Sequence, residues 1–210
     1  MKKKDEYFLS NCKNNQSLIV SFGGLALQFG QIPPFEFHNF LNSIDIVTDS
    51  YFYIDRKKNW YFSGIYGISK SIKATVQYLN RTIAPYPKNN ILFLGTSSGG
   101  YASLLFASLL GVQNVIAFAP QTNFAQLHRK PKTYRRKDKV YFDLRNIVPL
   151  KNKFDIFYYP DTVEGTHGTN QTLHLKDRCQ TRPFPADLKK MRDNGVLEQI
   201  IRDKMTWLKD

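Results

Sequence analysis

The stretch Asn90-Ile91-Leu92-Phe93-Leu94-Gly95-Thr96-Ser97-Ser98-Gly99-Gly100-Tyr101-Ala102 decides the fold. Its first half is a near-continuous apolar run, the kind a parallel sheet buries on both faces. Its second half carries small residues at Gly95, Gly99, Gly100 and Ala102. A helical segment over residues 101–110 follows and stops at Gly111, a residue type common just past helix ends. Strand, tight turn and helix therefore succeed one another without a linker. A Gly-x-Ser-x-Gly turn in that setting puts the central serine on a strained backbone with its hydroxyl exposed. The flanking residues must be small because strand and helix approach closely there. Ser97 also stands at a helix N-terminus, where backbone amides favour developing negative charge. Phosphate-loop readings do not fit, since neither Gly-Lys-Ser/Thr nor Gly-x-Gly-x-x-Gly occurs here.

The flanking sequence alternates short β-rich runs with helical ones. Leu18-Ile19-Val20-Ser21-Phe22 reads as a strand ended by Gly23-Gly24, and residues 44–47 as another, closed by Thr48-Asp49-Ser50. Residues 69–79 carry Ile72, Val76 and Leu79 near the helical period. Residues 115–119 and 154–159 are further strands, each ended by proline, and residues 172–176 a weaker one. The tail, residues 186–208, reads as a helix broken near Asp193-Asn194-Gly195, with Leu188, Met191, Leu197, Ile200, Ile201, Met205 and Leu208 on one buried face. This alternation predicts an α/β fold: a three-layer sandwich around a mostly parallel sheet of about six strands. With neither repeat nor low-complexity linker, residues 1–210 are expected to form a single domain.

Composition narrows the classes. A hydrophobic fraction of 42% supplies a core and argues against disorder. No apolar run approaches the ~18 residues of a membrane span. Lys2-Lys3-Lys4 is followed at once by Asp5 and Glu6, with too short an apolar run for a signal peptide, so a cytoplasmic location is expected. Cys12 and Cys179 lie far apart and form no paired metal-ligand spacing. The formal charge of +13 predicts attraction to polyanions. Much of that charge is concentrated in His128-Arg129-Lys130-Pro131-Lys132-Thr133-Tyr134-Arg135-Arg136-Lys137-Asp138-Lys139.

Residues 90–105 resemble the α/β-hydrolase superfamily, and the likeness extends more loosely over 17–175. Ala117-Phe118-Ala119-Pro120-Gln121 is similar to the corresponding strand end in small hydrolases, and the chain looks like a minimal member whose sheet begins at residues 18–22. The resemblance implies a nucleophile at Ser97 and one oxyanion-hole amide from Ser98. A second amide would come from Gly24 or Leu25, in the loop after an earlier strand. It also implies the chain order Ser, Asp or Glu, His. Asp161 and Glu164 follow the strand at 154–159 and are the acid candidates. The segment 177–186, where the histidine should lie, contains none. His38 and His128 are misplaced by order, and His174 alternates with Leu173 and Leu175 as in a strand. His167, in Gly165-Thr166-His167-Gly168, is the base candidate.

The activity so implied is that of a serine hydrolase of the esterase or acyl-transfer type, acting on a small-molecule or glycan ester and needing no metal or organic cofactor. Related hydrolases insert a cap where the basic segment lies, which makes Arg135, Arg136 and Lys137 candidates for binding an anionic substrate, with Asp55 and Trp60 as further lining residues. The alternative is a degenerate scaffold that binds a polyanion, either an acidic glycan or nucleic acid stacked on Tyr134.

Overall fold

The computed structural model describes residues 3–4, 8–11, 16–25, 35, 37–44, 46–126, 131–159, 170–184 and 188–205. Their strands form one sheet: β1 (Lys3–Lys4), β2 (Phe8–Asn11), β3 (Leu18–Phe22), β4 (Asp49–Tyr53), β5 (Ile91–Thr96), β6 (Asn114–Phe118), β7 (Lys153–Tyr158) and β8 (Gln180–Pro183), in the order β1-β2-β4-β3-β5-β6-β7-β8. The six strands from β3 to β8 run parallel. β2 pairs antiparallel with β4, and β1 antiparallel with β2. The sheet thus begins before residues 18–22, with two antiparallel strands at one edge.

Residues of each central strand alternate between two cores. Leu18, Val20, Phe22, Ile91, Phe93, Val115, Ala117, Phe154 and Ile156 share one with α2 (Ile72–Ile83) and α3 (Ser98–Leu110). Ile19, Leu92, Leu94, Ile116, Phe118 and Phe157 share the other with α1 (His38–Ser43), α4 (Leu188–Asp193) and α5 (Val196–Lys204). Side chains two apart on a strand point to the same face, so a doubly buried strand must be apolar throughout. That is why the apolar runs were readable as parallel strands. The helices end where their sequence says: Ser71 caps α2 by accepting from the Ala74 N–H, Gly111 ends α3 at φ 70°, and Gly195 at φ 79° separates α4 from α5. None of the described helices is long and apolar enough to cross a membrane.

Two assignments shift. The strand expected at 44–47 lies instead at Asp49–Tyr53. Its polar start is tolerated in the sheet because Tyr86 donates to the fully buried Asp49 carboxylate at 2.7 Å and Ser17 bonds Thr48 at 3.0 Å. The strand expected at 172–176 is a helical turn at 170–173 followed by tighter turns, and the last strand is Gln180–Pro183. Gln171 explains that outcome. Its buried side chain accepts from the Thr122 and Asn123 amides, both at 2.7 Å, and donates to the Asn123 carbonyl at 3.2 Å, which locks the turn against the loop after β6.

The junction of β3, β5 and α3 leaves no room for side chains. A Cβ on Gly99 would overlap the Phe22 carbonyl at the end of β3, and one on Gly95 would overlap the backbone of Gly99. At Gly100 the nearest neighbours would be Pro120 Cβ at 3.1 Å and the Gly95 and Phe118 carbonyl oxygens at 3.2 and 3.3 Å, tight contacts but without the overlap met at Gly95 and Gly99. Gly99→Ala is therefore expected to destabilise the protein by about 3 kcal/mol or more, and Gly100→Ala by distinctly less. Urea unfolding midpoints of the two variants check this ranking.

Candidate active site

The carboxyl ends of β3, β4, β5 and β6 meet at one edge of the sheet, the edge at which open α/β sheets carry their ligands. Ser97 lies there, between β5 and α3, with φ 54° and ψ −118°. A non-glycine residue at positive φ is strained by about 1–3 kcal/mol and persists only where its surroundings impose it. Two backbone bonds do so: the Ser97 N–H donates to the Phe118 carbonyl at 2.8 Å, and the Tyr101 N–H to the Ser97 carbonyl at 3.0 Å. No side chain caps α3, so the first-turn amides, that of Ser98 among them, lack an intrahelical acceptor. The Ser98 side chain is fully buried, and its hydroxyl has no partner among the described residues.

Gly24 and Leu25 follow β3, both half-buried, and Leu25 packs on the α2–α3 core. The loop is held from beneath. The Gly23 N–H donates to the Tyr53 carbonyl at 2.8 Å, and the buried Tyr61 hydroxyl lies 3.0 Å from the Gly23 carbonyl and 3.2 Å from that of Tyr53.

Tyr61 belongs to the loop after β4, which holds three of the positive-φ non-glycine residues among the described ones. Lys58, Trp60 and Tyr61 all have positive φ, from 50° to 60°. The buried Asp55 carboxylate templates this conformation by accepting from the amides of Asn59 at 2.6 Å and Tyr61 at 3.1 Å. Burial pushes the Asp55 carboxyl above its usual range, and the loop amides oppose that shift. Asp55 thus lies under the loop, whereas Trp60 reaches the site. Its indole packs edge-on against Phe124 and donates to Gln121 Oε1 at 3.1 Å.

Gln121 in turn contacts Ser97. An indole N–H can only donate, so it fixes the amide oxygen on the Trp60 side and presents Nε2 to the serine. Gln121 Nε2 then donates to Ser97 Oγ at 3.1 Å. Gln121 Oε1 lies 3.4 Å from the same hydroxyl, a longer contact than the Nε2 bond, so the serine proton faces either that oxygen or a further acceptor. Neither Gln121 nor the role of Trp60 follows from the motif, because the two residues are 61 positions apart. The only prior signal was the placement of Gln121 just past a strand end beside the Ser97 strand.

His167, Asp161 and Glu164 lie outside the described residues, as do His128, Arg129 and Cys12. His174 is not on a strand. Its Nε2 is 2.6 Å from Asp143 Oδ1, its carbonyl accepts from Arg145 at 3.0 Å, and Arg145 also bonds Asp177. His38 sits in α1, bonded to Asn39 and Asn42 and edge-on to Phe52. Arg135 is engaged by the buried Asp138 carboxylate at 2.9 and 3.2 Å, whereas Arg136 and Lys137 are exposed. Burial pushes the Cys179 thiol up to about 12, so it stays protonated at neutral pH.

No protein-family model and no curated protein sequence matches the chain. Solved structures do match. The capsule O-acetyltransferase of Neisseria meningitidis serogroup A superposes with a TM-score of 0.66 at 15% identity, over 93% of this chain and 90% of that one. An esterase from Thermogutta terrifontis gives 0.57 at 14% identity, over 93% and 85% of the two chains. S-formylglutathione hydrolase from Staphylococcus aureus gives 0.58 at 13% identity, over 97% and 92%. The chain has the α/β-hydrolase fold.

Proposed function

We propose that the protein is a serine acyl-transfer enzyme that works on esters of the carbohydrate or small-alcohol type, through a nucleophile elbow at Ser97. The observation that carries this reading is the hydroxyl itself: on a positive-φ turn, at an uncapped helix N-terminus, with Gln121 Nε2 on its oxygen. In the first half-reaction Ser97 Oγ attacks the ester carbonyl while its proton passes to His167, oriented by Asp161 or Glu164. The amides of Ser98 and of Gly24 or Leu25 receive the negative charge on the carbonyl oxygen. The tetrahedral intermediate then expels the alcohol, which takes the proton from the histidine, and leaves an acyl-serine. Water or a sugar hydroxyl resolves that intermediate by the same steps reversed.

Two features support the role of His167. Gln171 is locked to Thr122 and Asn123, directly after the Gln121 that touches Ser97. His167 lies four residues before Gln171, and four residues span at most about 14 Å. The likeness to an O-acetyltransferase and an esterase of comparable length favours acyl transfer over other chemistry on this fold. The test is turnover of short-chain aryl esters, together with labelling by a fluorophosphonate probe mapped to the Ser97 peptide.

Gln121 gives this reading a second handle. In Gln121→Glu the carboxylate would accept the serine proton instead of donating to its oxygen, which opposes transfer to the base. Loss of a bond to a reacting, charge-developing oxygen is worth about 1.5–3 kcal/mol, or roughly 10- to 150-fold in rate. Fluorophosphonate labelling of Gln121→Glu is expected to slow by that factor. Trp60→Phe, which frees the amide to rotate, should slow labelling by less.

A further inference from the structure

The basic segment and the β4 loop are far apart in sequence yet fastened together beside Ser97. Asn59 is the clasp. Only 1% exposed, its side chain accepts from the Lys132 amide at 2.6 Å and the Thr133 amide at 3.3 Å, and donates to the Thr133 carbonyl at 2.6 Å. It thereby satisfies both backbone groups of Thr133, as a neighbouring strand would. The far end of the segment is tied to α3 itself, where the buried Tyr101, one turn past Ser97, donates to the Tyr141 carbonyl at 2.8 Å. Between these anchors Tyr134 packs on Phe142 with ring centroids 4.9 Å apart. Asn59 also precedes Trp60, whose indole holds the Gln121 on the serine. One peptide bond and a short series of hydrogen bonds thus connect the clasp to Ser97.

What the clasp brings together is charge of one sign. Lys57 and Lys58 come from the β4 loop, and Lys132, Arg136, Lys137 and Lys139 from the basic segment. The carboxylates of these two loops do not offset them at the surface: Asp55 is turned inward onto the loop amides, and the buried Asp138 is paired with Arg135. Lys57, Lys58, Lys132, Arg136 and Lys137 form no ion pair with a described residue.

We infer that these two loops form a fixed cationic platform that holds a polyanionic glycan, such as a uronate-bearing chain, with its hydroxyl or ester groups at Ser97. This rests on the acyl-transfer reading for the reaction, but not for the binding. A polysaccharide fits better than a single-stranded nucleic acid because the platform offers no row of open stacking faces among its described residues. Single-strand binders stack successive bases on aromatic rings. Among the described residues of the two loops the exposed rings are Tyr66 and Tyr134, and Tyr134 is already packed on Phe142 with the Lys139 ammonium 5.9 Å from its centroid. The loops also reach the site in a conformation already imposed by Asp55, Asn59 and Tyr101, so little ordering opposes binding.

The test is titration of the intact protein with oligogalacturonate, neutral dextran oligomers of equal length, and single-stranded DNA of equal charge. The wild type is expected to bind oligogalacturonate but not dextran, with affinity falling roughly tenfold or more between about 50 and 200 mM salt, as for several released counterions. Lys132→Ala/Arg136→Ala/Lys137→Ala, all at exposed positions, should weaken binding at least about tenfold and flatten the salt dependence. Asn59→Ala should weaken it with no change of charge, provided thermal unfolding shows the variant folded. Oligogalacturonate binding unaltered in the triple variant would overturn the platform, as would tighter binding of the DNA than of the uronate. Absence of aryl-ester turnover with the uronate pattern intact would remove the acyl-transfer reading and leave the platform. Turnover without uronate binding would do the reverse.

Discussion

Ser97→Ala is expected to abolish fluorophosphonate labelling and to lower aryl-ester turnover by about 10⁴-fold or more, the scale on which nucleophile removal acts in serine hydrolases. Stability should change little, by no more than about 1 kcal/mol, since among the described residues the hydroxyl bonds only the half-exposed amide of Gln121, and the backbone bonds to Phe118 and Tyr101 remain. The separation of the two readouts matters. A variant that loses activity because the β3–β5–α3 junction has loosened would unfold at lower urea, as Gly99→Ala should. Ser97→Ala should not. Turnover that persists in Ser97→Ala, with labelling mapped to another residue, would place the chemistry elsewhere.

The parts of the fold legible in the sequence are those whose environment is uniform. β3, β5, β6 and β7 lie between two apolar layers, so their residues are apolar in succession and their ends coincide with glycine or proline. The tail helices were legible because one face of each meets the sheet and Gly195 separates them. β4 was not, because its first residues are polar and depend on Tyr86 and Ser17 from elsewhere in the chain. β8 escaped notice for a related reason. It is an edge strand of exposed or half-exposed residues ending in proline, while Leu173-His174-Leu175 nearby mimics the alternation of a strand. The mimicry fails physically, since Gln171 and the Asp143–His174 contact hold that segment in turns.

At the candidate site, what the sequence carries is local. Small residues around Ser97 are dictated by backbone contacts within a few residues of it and with the end of β3. Whatever depends on tertiary contacts was hidden: the Trp60–Gln121–Ser97 series, the Tyr61 brace beneath Gly23, and the Asn59 clasp on Thr133. Asp55 and Trp60 were singled out as lining residues, yet their roles differ. Asp55 shapes the loop from within, and Trp60 alone extends to the serine's partner. The charged segment was equally visible as composition, but its position relative to Ser97 follows only from the two anchors, Asn59 and Tyr101.

His167→Ala is expected to lose about as much aryl-ester activity as Ser97→Ala, because the members of a catalytic triad act as a unit. His174→Ala should keep most of its turnover and unfold more readily. The contrast follows from their partners. His174 spends its ring nitrogen on Asp143 at 2.6 Å and its carbonyl on Arg145, which itself bonds Asp177, so its removal breaks a network that joins the turns after 170 to residues 143–145. Loss of such a buried-side contact typically amounts to about 1–3 kcal/mol. His167 stands four residues before the locked Gln171 in sequence, and a working base must stand roughly 2.6–3.2 Å from the serine oxygen. Gln121 Nε2 donates to Ser97 Oγ at 3.1 Å, and Gln121 Oε1, 3.4 Å away and already bonded by Trp60, is the acceptor with which such a base would compete for the serine proton. The pH dependence separates the cases further. A histidine base must be neutral to accept that proton, so turnover should rise with pH as the imidazole loses its proton and then level off. That limb should vanish in His167→Ala, whose residual rate is expected to be flat with pH. Activity retained in His167→Ala but lost in His174→Ala, with His174→Ala still folded, would exchange the two roles. A wild type that neither turns over esters nor takes up the probe, while binding oligogalacturonate through its cationic loops, would make the chain a hydrolase fold that has kept the serine turn and lost the chemistry.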